Sequence, residues 1–446
     1  MRLMVCLEGQ VAGILDASGA RCSLTYTDTW LSTNGAYPLS QSLSLRPGPL
    51  TGTPVVNFLW GLLPDNERTL DAWGRRFQVS ARNPVSLLAH VGEDCAGAVQ
   101  FVREERLDEV LATDRNTPQI AWLGDKDLER RILHLSQDAG AVRESAVEGQ
   151  FSLSGAQAKT ALYFDRQRQR WGIPQGRTPT THILKPASKD FDGFAENEHF
   201  CLVLARRVGL AAANTEWQRI GGISTLIAER YDRVRIAGRW RRIHQEDCCQ
   251  ALGIHPGSKY ENEGGPGFAQ IMSLLEGTDD PRIDRDRLMK TACLAYLLAA
   301  TDAHSKNFSL LYSRGSSRPS MRLAPLYDIA SAWPYPRRIP PQKMKLAMRI
   351  GRHYRLKEIL PRHFSELAKA CRFPADALLA MLKDLSVQLP DEGLTVMKEI
   401  ESSGMARAVL VALMDGLAAQ CKVTSQSLRA MSASGVDVSP TKKARS

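Results

Sequence analysis

Asp302 and Asn307 stand five positions apart in TDAHSKNFSLLY, and Asp328 follows in LAPLYDIAS. Five positions is the separation between the proton-accepting Asp and the metal-binding Asn of kinase catalytic loops, and a second Asp beyond a strand-like pair completes a set for phosphoryl transfer. Asp302 can orient an acceptor hydroxyl and take its proton. Asn307 and Asp328 can hold Mg2+ against phosphates through an amide oxygen and a carboxylate. His304 and Lys306, between the acidic groups, offer cationic donors to phosphate. Taken singly, each residue has an ordinary explanation: a turn cap, a left-handed turn position, a helix cap or a core histidine. The combination carries the reading.

Three further stretches fit the same chemistry. In SLSGAQAK (152–159) small residues let backbone N–H groups approach phosphate oxygens, and Lys159 adds a charge at the end of the loop. The stretch is neither a G-x-x-x-x-G-K-[ST] loop nor a G-x-G-x-x-G loop, and hairpin turns share its composition. Lys185 in HILKP lies in an apolar strand-like segment. Lysines on inner strand faces are uncommon unless paired, so a phosphate contact is expected, with Glu198 as a candidate partner or simply part of a solvated helix face. In AERYDR (228–233) the backbone of Glu229 to Tyr231 can hydrogen-bond an adenine and the Tyr231 ring can pack on it, against ordinary strand packing as the alternative.

These residues need a sheet-rich part and a helical part with a cleft between them. Residues 1–103 open with short strands (Leu3 to Leu7, Arg21 to Tyr26) and two helix-like pieces (Val55 to Leu63, Pro84 to Val91), predicting a small mixed α/β unit. Residues 104–148 are polar and read as a connection with one amphipathic helix around Asp127 to Leu135. Residues 149–240 alternate strands with turns and include a helical period at Phe200, Leu204 and Val208. Residues 241–430 are mainly helical, including Arg285 to Ala300, and residues 431–446 form a basic tail expected to be disordered.

Length and composition set the limits. With 446 residues, 43% hydrophobic and 24% charged, the chain is an ordinary globular one of two to four units, too large for a disulfide-stapled scaffold. Lys and Arg outnumber Asp and Glu by 58 to 48, a net charge of +10 that suits anionic partners without naming one. The nine cysteines lack zinc or redox spacing; Cys248 and Cys249 are adjacent, and reduced thiols are expected. Glu8 and Gln10 interrupt any signal-like apolar stretch, and the run Cys293 to Ala300 is far too short to span a bilayer. A cytoplasmic protein with no membrane partner is the expectation.

In their order along the chain, PLSQSLSL, NFLWGLLPDN, GEDCAGAV, SLSGAQAK, HILKP, NEHFCL, ERYDR, HQEDCCQALG, DAHSKNFSLL and LAPLYDIAS resemble the HipA family of serine/threonine-protein kinase toxins over nearly the whole length. The resemblance implies an α+β fold: a bilobal protein/phosphatidylinositol-kinase-like body with a mixed α/β N-terminal subdomain and a mainly helical C-terminal lobe. It implies ATP and Mg2+ as cofactors and protein serine phosphorylation, with Asp302 as catalytic base and Asn307 and Asp328 as metal ligands. It also implies a nucleotide site of Ser154, Gly155, Ala156, Gln157, Ala158, Lys159, Lys185, Glu229, Arg230, Tyr231, His304, Ser305, Lys306, Asn307, Tyr327 and Asp328. Members of the family arrest translation by phosphorylating an aminoacyl-tRNA synthetase and are restrained by HipB, a helix-turn-helix antitoxin that binds operator DNA. Any DNA contact of this chain is then indirect, through such a partner.

The family also switches itself off by autophosphorylating a loop serine. Ser152 matches that position, and Ser154 is a second acceptor two residues on. A phosphate there adds about −1.5 to −2 charges beside the ATP phosphates, which repels the loop. Two other classes compete with an active kinase. One is a kinase-like corepressor or binding module with little transfer activity, and the other is a small-molecule phosphotransferase. Intact Asp302, Asn307, Asp328 and Lys185 weigh against the first, and the N-terminal motifs and loop serines against the second.

Overall fold

The computed structural model describes residues 1–19, 21–111, 119–137, 152–155, 157–176, 178–187, 191–315, 318–401 and 407–433. The N-terminal unit is an antiparallel sheet of β1 (Arg2–Leu7), β2 (Gln10–Ser18), β3 (Arg21–Tyr26), β4 (Pro49–Thr51) and β5 (Gln100–Val102), in the order β4-β3-β2-β1-β5. Helices Thr53–Gly61, Glu67–Phe77 and Pro84–Val91 pack with it. Asn66 and Asn83 start the last two, each side chain accepting two backbone N–H groups that the first turn leaves unpaired.

The second sheet is antiparallel throughout: β6 (Ile120–Trp122), β7 (Thr160–Asp165), β8 (Arg170–Pro174), β9 (His182–Pro186), β10 (Thr215–Ile220) and β11 (Ile223–Glu229), in the order β10-β11-β9-β7-β8-β6. Of the segment read as a connection, Leu107, Val110 and Leu111 pack against β1 and β5 of the N-terminal unit, while residues 119–137 are part of this lobe. They supply edge strand β6 and helix Asp125–Gln137, whose Leu128, Ile132 and Leu135 join Leu162, Leu184 and Ile227 in the lobe's own core. Each such side chain, once buried, contributes about 1.5–3 kcal/mol. Residues 138–151 lie outside the described residues.

The large lobe carries a hairpin of β12 (Arg233–Ile236) and β13 (Arg239–Arg242), then a three-stranded sheet of β14 (His244–Asp247), β15 (Ser309–Ser313) and β16 (Ser320–Leu323). Around these pack helices Pro281–Leu297, Pro361–Ala370, Ala375–Glu401 and Arg407–Ala433. The last is long and apolar enough to cross a bilayer by length and composition alone. Here it buries Leu410, Leu413, Leu417 and Cys421 in the core of the lobe. The helix takes in the start of the expected tail, and residues 434–446 lie outside the described residues.

One apolar core runs from Trp30, Phe58 and Phe101 of the N-terminal unit into Phe200, Leu294 and Phe364 of the large lobe. A polar seam reinforces it. Ser40 and Ser42 donate to the Gln250 carbonyl (3.1 and 2.7 Å), the Gln41 N–H donates to Glu246 (2.9 Å), and Asn57 donates to the Gly253 carbonyl (2.8 Å). PLSQSLSL and HQEDCCQALG are therefore the two halves of one joint. All nine cysteines are unpaired.

Candidate active site

A cleft of about 960 Å³ opens where the three units meet, and both halves of the expected chemistry line it. Lys185 comes from β9 and Glu198 from helix Phe194–Arg207. Lys185 Nζ donates to Glu198 Oε1 at 2.6 Å and to Asp328 Oδ1 at 2.7 Å. Burial disfavours the ammonium, but the two carboxylates outweigh it and hold Lys185 above its ordinary range. Burial likewise opposes the Asp328 carboxylate, and Lys185 and Lys159 outweigh it and keep its pKa low. The expected partner, Glu198, is thus the one the structure supplies.

Asn307 closes a single 3-10 turn, Ser305–Asn307, and Asp302 lies just before it. Asn307 Nδ2 donates to the carbonyls of Asp302 and Asp328, both at 3.0 Å, so the network fixes the amide's orientation and leaves Oδ1 as an acceptor. Asp328 has a left-handed backbone (φ 56°), which Asp tolerates better than most residues. Among the described residues no group of three or more His, Cys, Asp and Glu is arranged to hold a metal. Asn307 Oδ1 and the Asp328 carboxylate instead suit a Mg2+ that takes one or two protein oxygens and fills its shell with phosphate and water. Tyr327 donates to the Lys306 carbonyl at 2.7 Å and braces the loop from behind.

The two cationic donors expected in this loop are arranged otherwise. His304 is buried, its pKa is pushed down to about 4, and it is neutral at pH 7, with no partner for Nδ1 among the described residues. Lys306 Nζ donates to Asp65 of the N-terminal unit at 2.5 Å. Ser305 does not line the cleft: its hydroxyl donates to the Lys259 carbonyl (2.9 Å) and touches Cys249 Sγ (3.0 Å).

At the junction of the lobes, Glu229, Arg230 and Tyr231 all border the cleft. The Tyr231 N–H has no partner among the described residues, which suits a donor to a planar base. Its ring lies 5.6 Å from that of Tyr327. The Arg230 side chain is spent elsewhere, on Asp232, Thr180 and the Cys95 carbonyl. With Arg233, Arg242 and Asp94 it forms a buried ionic cluster that ties the junction to the GEDCAG turn. Glu229 pairs outward with Arg166 (3.0 Å).

Ser154, Gly155, Gln157, Ala158 and Lys159 line the opposite wall, and Ala156 lies outside the described residues. Gly155 has φ +104°, a backbone setting that strains any residue with a Cβ, and such a Cβ would also displace the Lys159 ammonium 2.6 Å away. Lys159 donates to the Ser154 carbonyl at 2.7 Å, closing the loop on itself. Burial lowers its pKa to about 8. The loop leans on the N-terminal unit: the Asp65 N–H donates to the Gly155 carbonyl (3.2 Å) and the Ser152 hydroxyl to the Leu62 carbonyl (2.7 Å). Ser152 is fully buried, while Ser154 is half-buried at the cleft.

Sequence reasoning missed Asp65, Lys259 and Tyr260. Asp65 accepts from Lys259 (2.9 Å) as well as Lys306, and Tyr260 donates to Asp302 (2.6 Å). Asp65 and Asn66 sit inside the quoted NFLWGLLPDN, where the helix cap Asn66 was the readable signal; nothing local marked the distant pairing.

Comparison with known proteins agrees with this architecture. Residues 3–102 match the HipA N-terminal domain and residues 151–392 the HipA-like C-terminal domain. A putative kinase, Y4mE, of Sinorhizobium fredii is 38% identical over 339 residues, covering 75% of this chain and 77% of that protein. The serine/threonine-protein kinase toxin HipA of Shewanella oneidensis is 26% identical over 394 residues, 84% of each chain. A chain in the solved Shewanella oneidensis complex of HipA, HipB and operator DNA superposes with a TM-score of 0.80 at 24% identity, over 98% of this chain and all of that one, and shares its α+β bilobal fold.

Proposed function

The chain belongs to the HipA family of serine/threonine kinase toxins, and we propose that it transfers the γ-phosphate of ATP to a serine of a cytoplasmic protein. The observation that carries this is the junction of Lys185 with both Glu198 and Asp328, beside Asp302 and Asn307, in one cleft. Lys185 charges the wall that faces the phosphates, and the Tyr231 N–H takes the base. Asn307 and Asp328 would hold a Mg2+, which when bound would neutralise phosphate charge. Asp302 accepts the proton of the serine hydroxyl as the serine oxygen bonds to the γ-phosphorus; the bond from that phosphorus to the β–γ bridging oxygen breaks, ADP leaves, and the proton passes to water.

By its family we further assign an aminoacyl-tRNA synthetase as the substrate class, translation arrest as the outcome, and a HipB-like helix-turn-helix antitoxin as the partner through which DNA is reached. Phosphate on Ser152 or Ser154 is the proposed off switch. The test is intact mass and phosphopeptide analysis of the purified chain after ATP and Mg2+, beside Asp302→Gln. Phosphate on the wild type alone supports the reading. Equal phosphate on both proteins removes Asp302 as the base.

A further inference from the structure

Tyr260 lies in SKYENEGGPGF, between the short turns Pro256–Ser258 and Glu261–Glu263, far in sequence from the catalytic loop. Its phenol donates to Asp302 Oδ1 at 2.6 Å, and its ring stands edge-on to His304, with centroids 5.2 Å apart. The contact is built from several sides. The Lys259 carbonyl accepts from Ser305 (2.9 Å), and Lys259 Nζ pairs with Asp65 (2.9 Å). The Tyr260 carbonyl accepts from the Glu263 and Gly265 N–H groups (3.0 and 2.9 Å), and Glu261 accepts from the Arg349 N–H (2.7 Å). A Cβ at Gly265 would sit 2.2 Å from the Ser258 carbonyl oxygen, so the turn closes this tightly only with glycine.

Asp302 is otherwise exposed to the cleft, and its Oδ2 has no partner among the described residues. A free carboxylate at the mouth of a cleft rotates about two side-chain bonds, and transfer needs one of those settings. We infer that Tyr260 is a positioning residue for phosphoryl transfer, holding Oδ1 of Asp302 so that Oδ2 faces the acceptor hydroxyl. This rests on Asp302 being the base. Burial and the adjacent Asp302 charge both keep the phenol protonated and therefore a donor.

The test uses the full chain as wild type, Tyr260→Phe, Asp302→Asn and the double variant. The readouts are ADP formed from ATP and Mg2+, phosphate incorporated into the chain, ATP affinity by calorimetry and thermal melting. Tyr260→Phe keeps the ring against His304 and removes one hydroxyl. It is expected to lower kcat roughly 10- to 100-fold, the size of one hydrogen bond to a charged group, with the KM for ATP and the melting temperature unchanged. In the Asp302→Asn background it should cause no further loss in single-turnover rate. A wild-type or faster Tyr260→Phe would overturn the inference, the latter by making Tyr260 an obstruction in the acceptor's place. So would an additive loss in the double variant, or a raised KM at constant kcat. A fully active Asp302→Asn would remove the proposed base itself, which separates that failure from one of Tyr260 alone.

Discussion

Asp65 accepts from Lys306 Nζ at 2.5 Å, while its own N–H donates to the Gly155 carbonyl at 3.2 Å. One residue of the N-terminal unit thereby touches the catalytic loop with its side chain and the phosphate loop with its backbone. The Asn66 cap sets it at the start of helix Glu67–Phe77.

Asp65→Asn should leave the backbone bond and the cap in place while removing the charge that faces Lys259 and Lys306. Two part-buried ammonium groups then lose their shared partner, at a cost of about 2–3 kcal/mol. Denaturant melting should register that loss, and phosphate transfer should fall with it. A variant as stable and active as the wild type would show the pairs to be incidental.

Asp94 gives the corresponding forecast for the junction of the lobes. Burial opposes its charge, but Arg233, Arg242 and Arg230 outweigh burial and hold its pKa well below the ordinary value. A depressed folded value means that the stabilisation is present above the unfolded pKa and lost as pH falls below about 4. Asp94→Asn leaves three buried guanidinium groups short of an anion. It should cost about 3–5 kcal/mol at pH 7 and make stability less steep in acid. Urea melts at pH 7 and pH 3 check both parts; an equal loss at the two would contradict the linkage.

How far such pairings could be read in advance depends on their range. Asp302, Asn307 and Asp328 were legible because a loop and a strand pair hold them within 26 positions, and local geometry fixes their spacing. Helix Phe194–Arg207 was legible from its period, but only the docking of the helix on the β9 sheet decided that Glu198 meets Lys185 and not solvent. Asp65 and Lys306 are 241 positions apart, and no periodicity encodes a contact that only the docking of two units creates. The direction of the Arg230 side chain was unreadable for a related reason. The residue's neighbourhood marked a junction, but which way its side chain turned depended on Asp94, 136 positions earlier. Helix Asp125–Gln137 was seen as amphipathic, yet its apolar face gained meaning only once a sheet covered it.

The loop serines should respond differently to added charge. Ser152 is fully buried with its hydroxyl on the Leu62 carbonyl, so Ser152→Glu places a carboxylate where there is neither room nor solvent, and the loop must leave its seat. ATP binding measured by calorimetry should fall at least tenfold, about 1.4 kcal/mol. Ser152→Ala, which loses one hydrogen bond worth about 1 kcal/mol, should still bind ATP. Tight ATP binding by Ser152→Glu would detach this serine from any switch.

Glu246 makes the last case, because its titration falls near neutrality. It is 1% exposed at the seam between units; Oε1 accepts from the Gln41 N–H (2.9 Å) and the Tyr312 hydroxyl (2.5 Å), while Oε2 has no partner among the described residues. Burial pushes its pKa up from 4.5 to about 7. A raised folded value reverses the sign found for Asp94: the favourable contribution of protonated Glu246 is complete below pH 4.5 and is lost as pH rises through 7. Asp247, also raised by burial, to about 6, acts in the same direction. Glu246→Gln keeps the Oε1 acceptor, puts a neutral amide nitrogen where Oε2 stood and cannot ionise. Its stability should therefore match the wild type at pH 5 and exceed it at pH 8 by up to about 3 kcal/mol. Denaturant melts of both proteins at the two pH values provide the measurement. A variant destabilised equally at both would show that Glu246 enters the seam already charged, with its ionisation compensated by the donors around it.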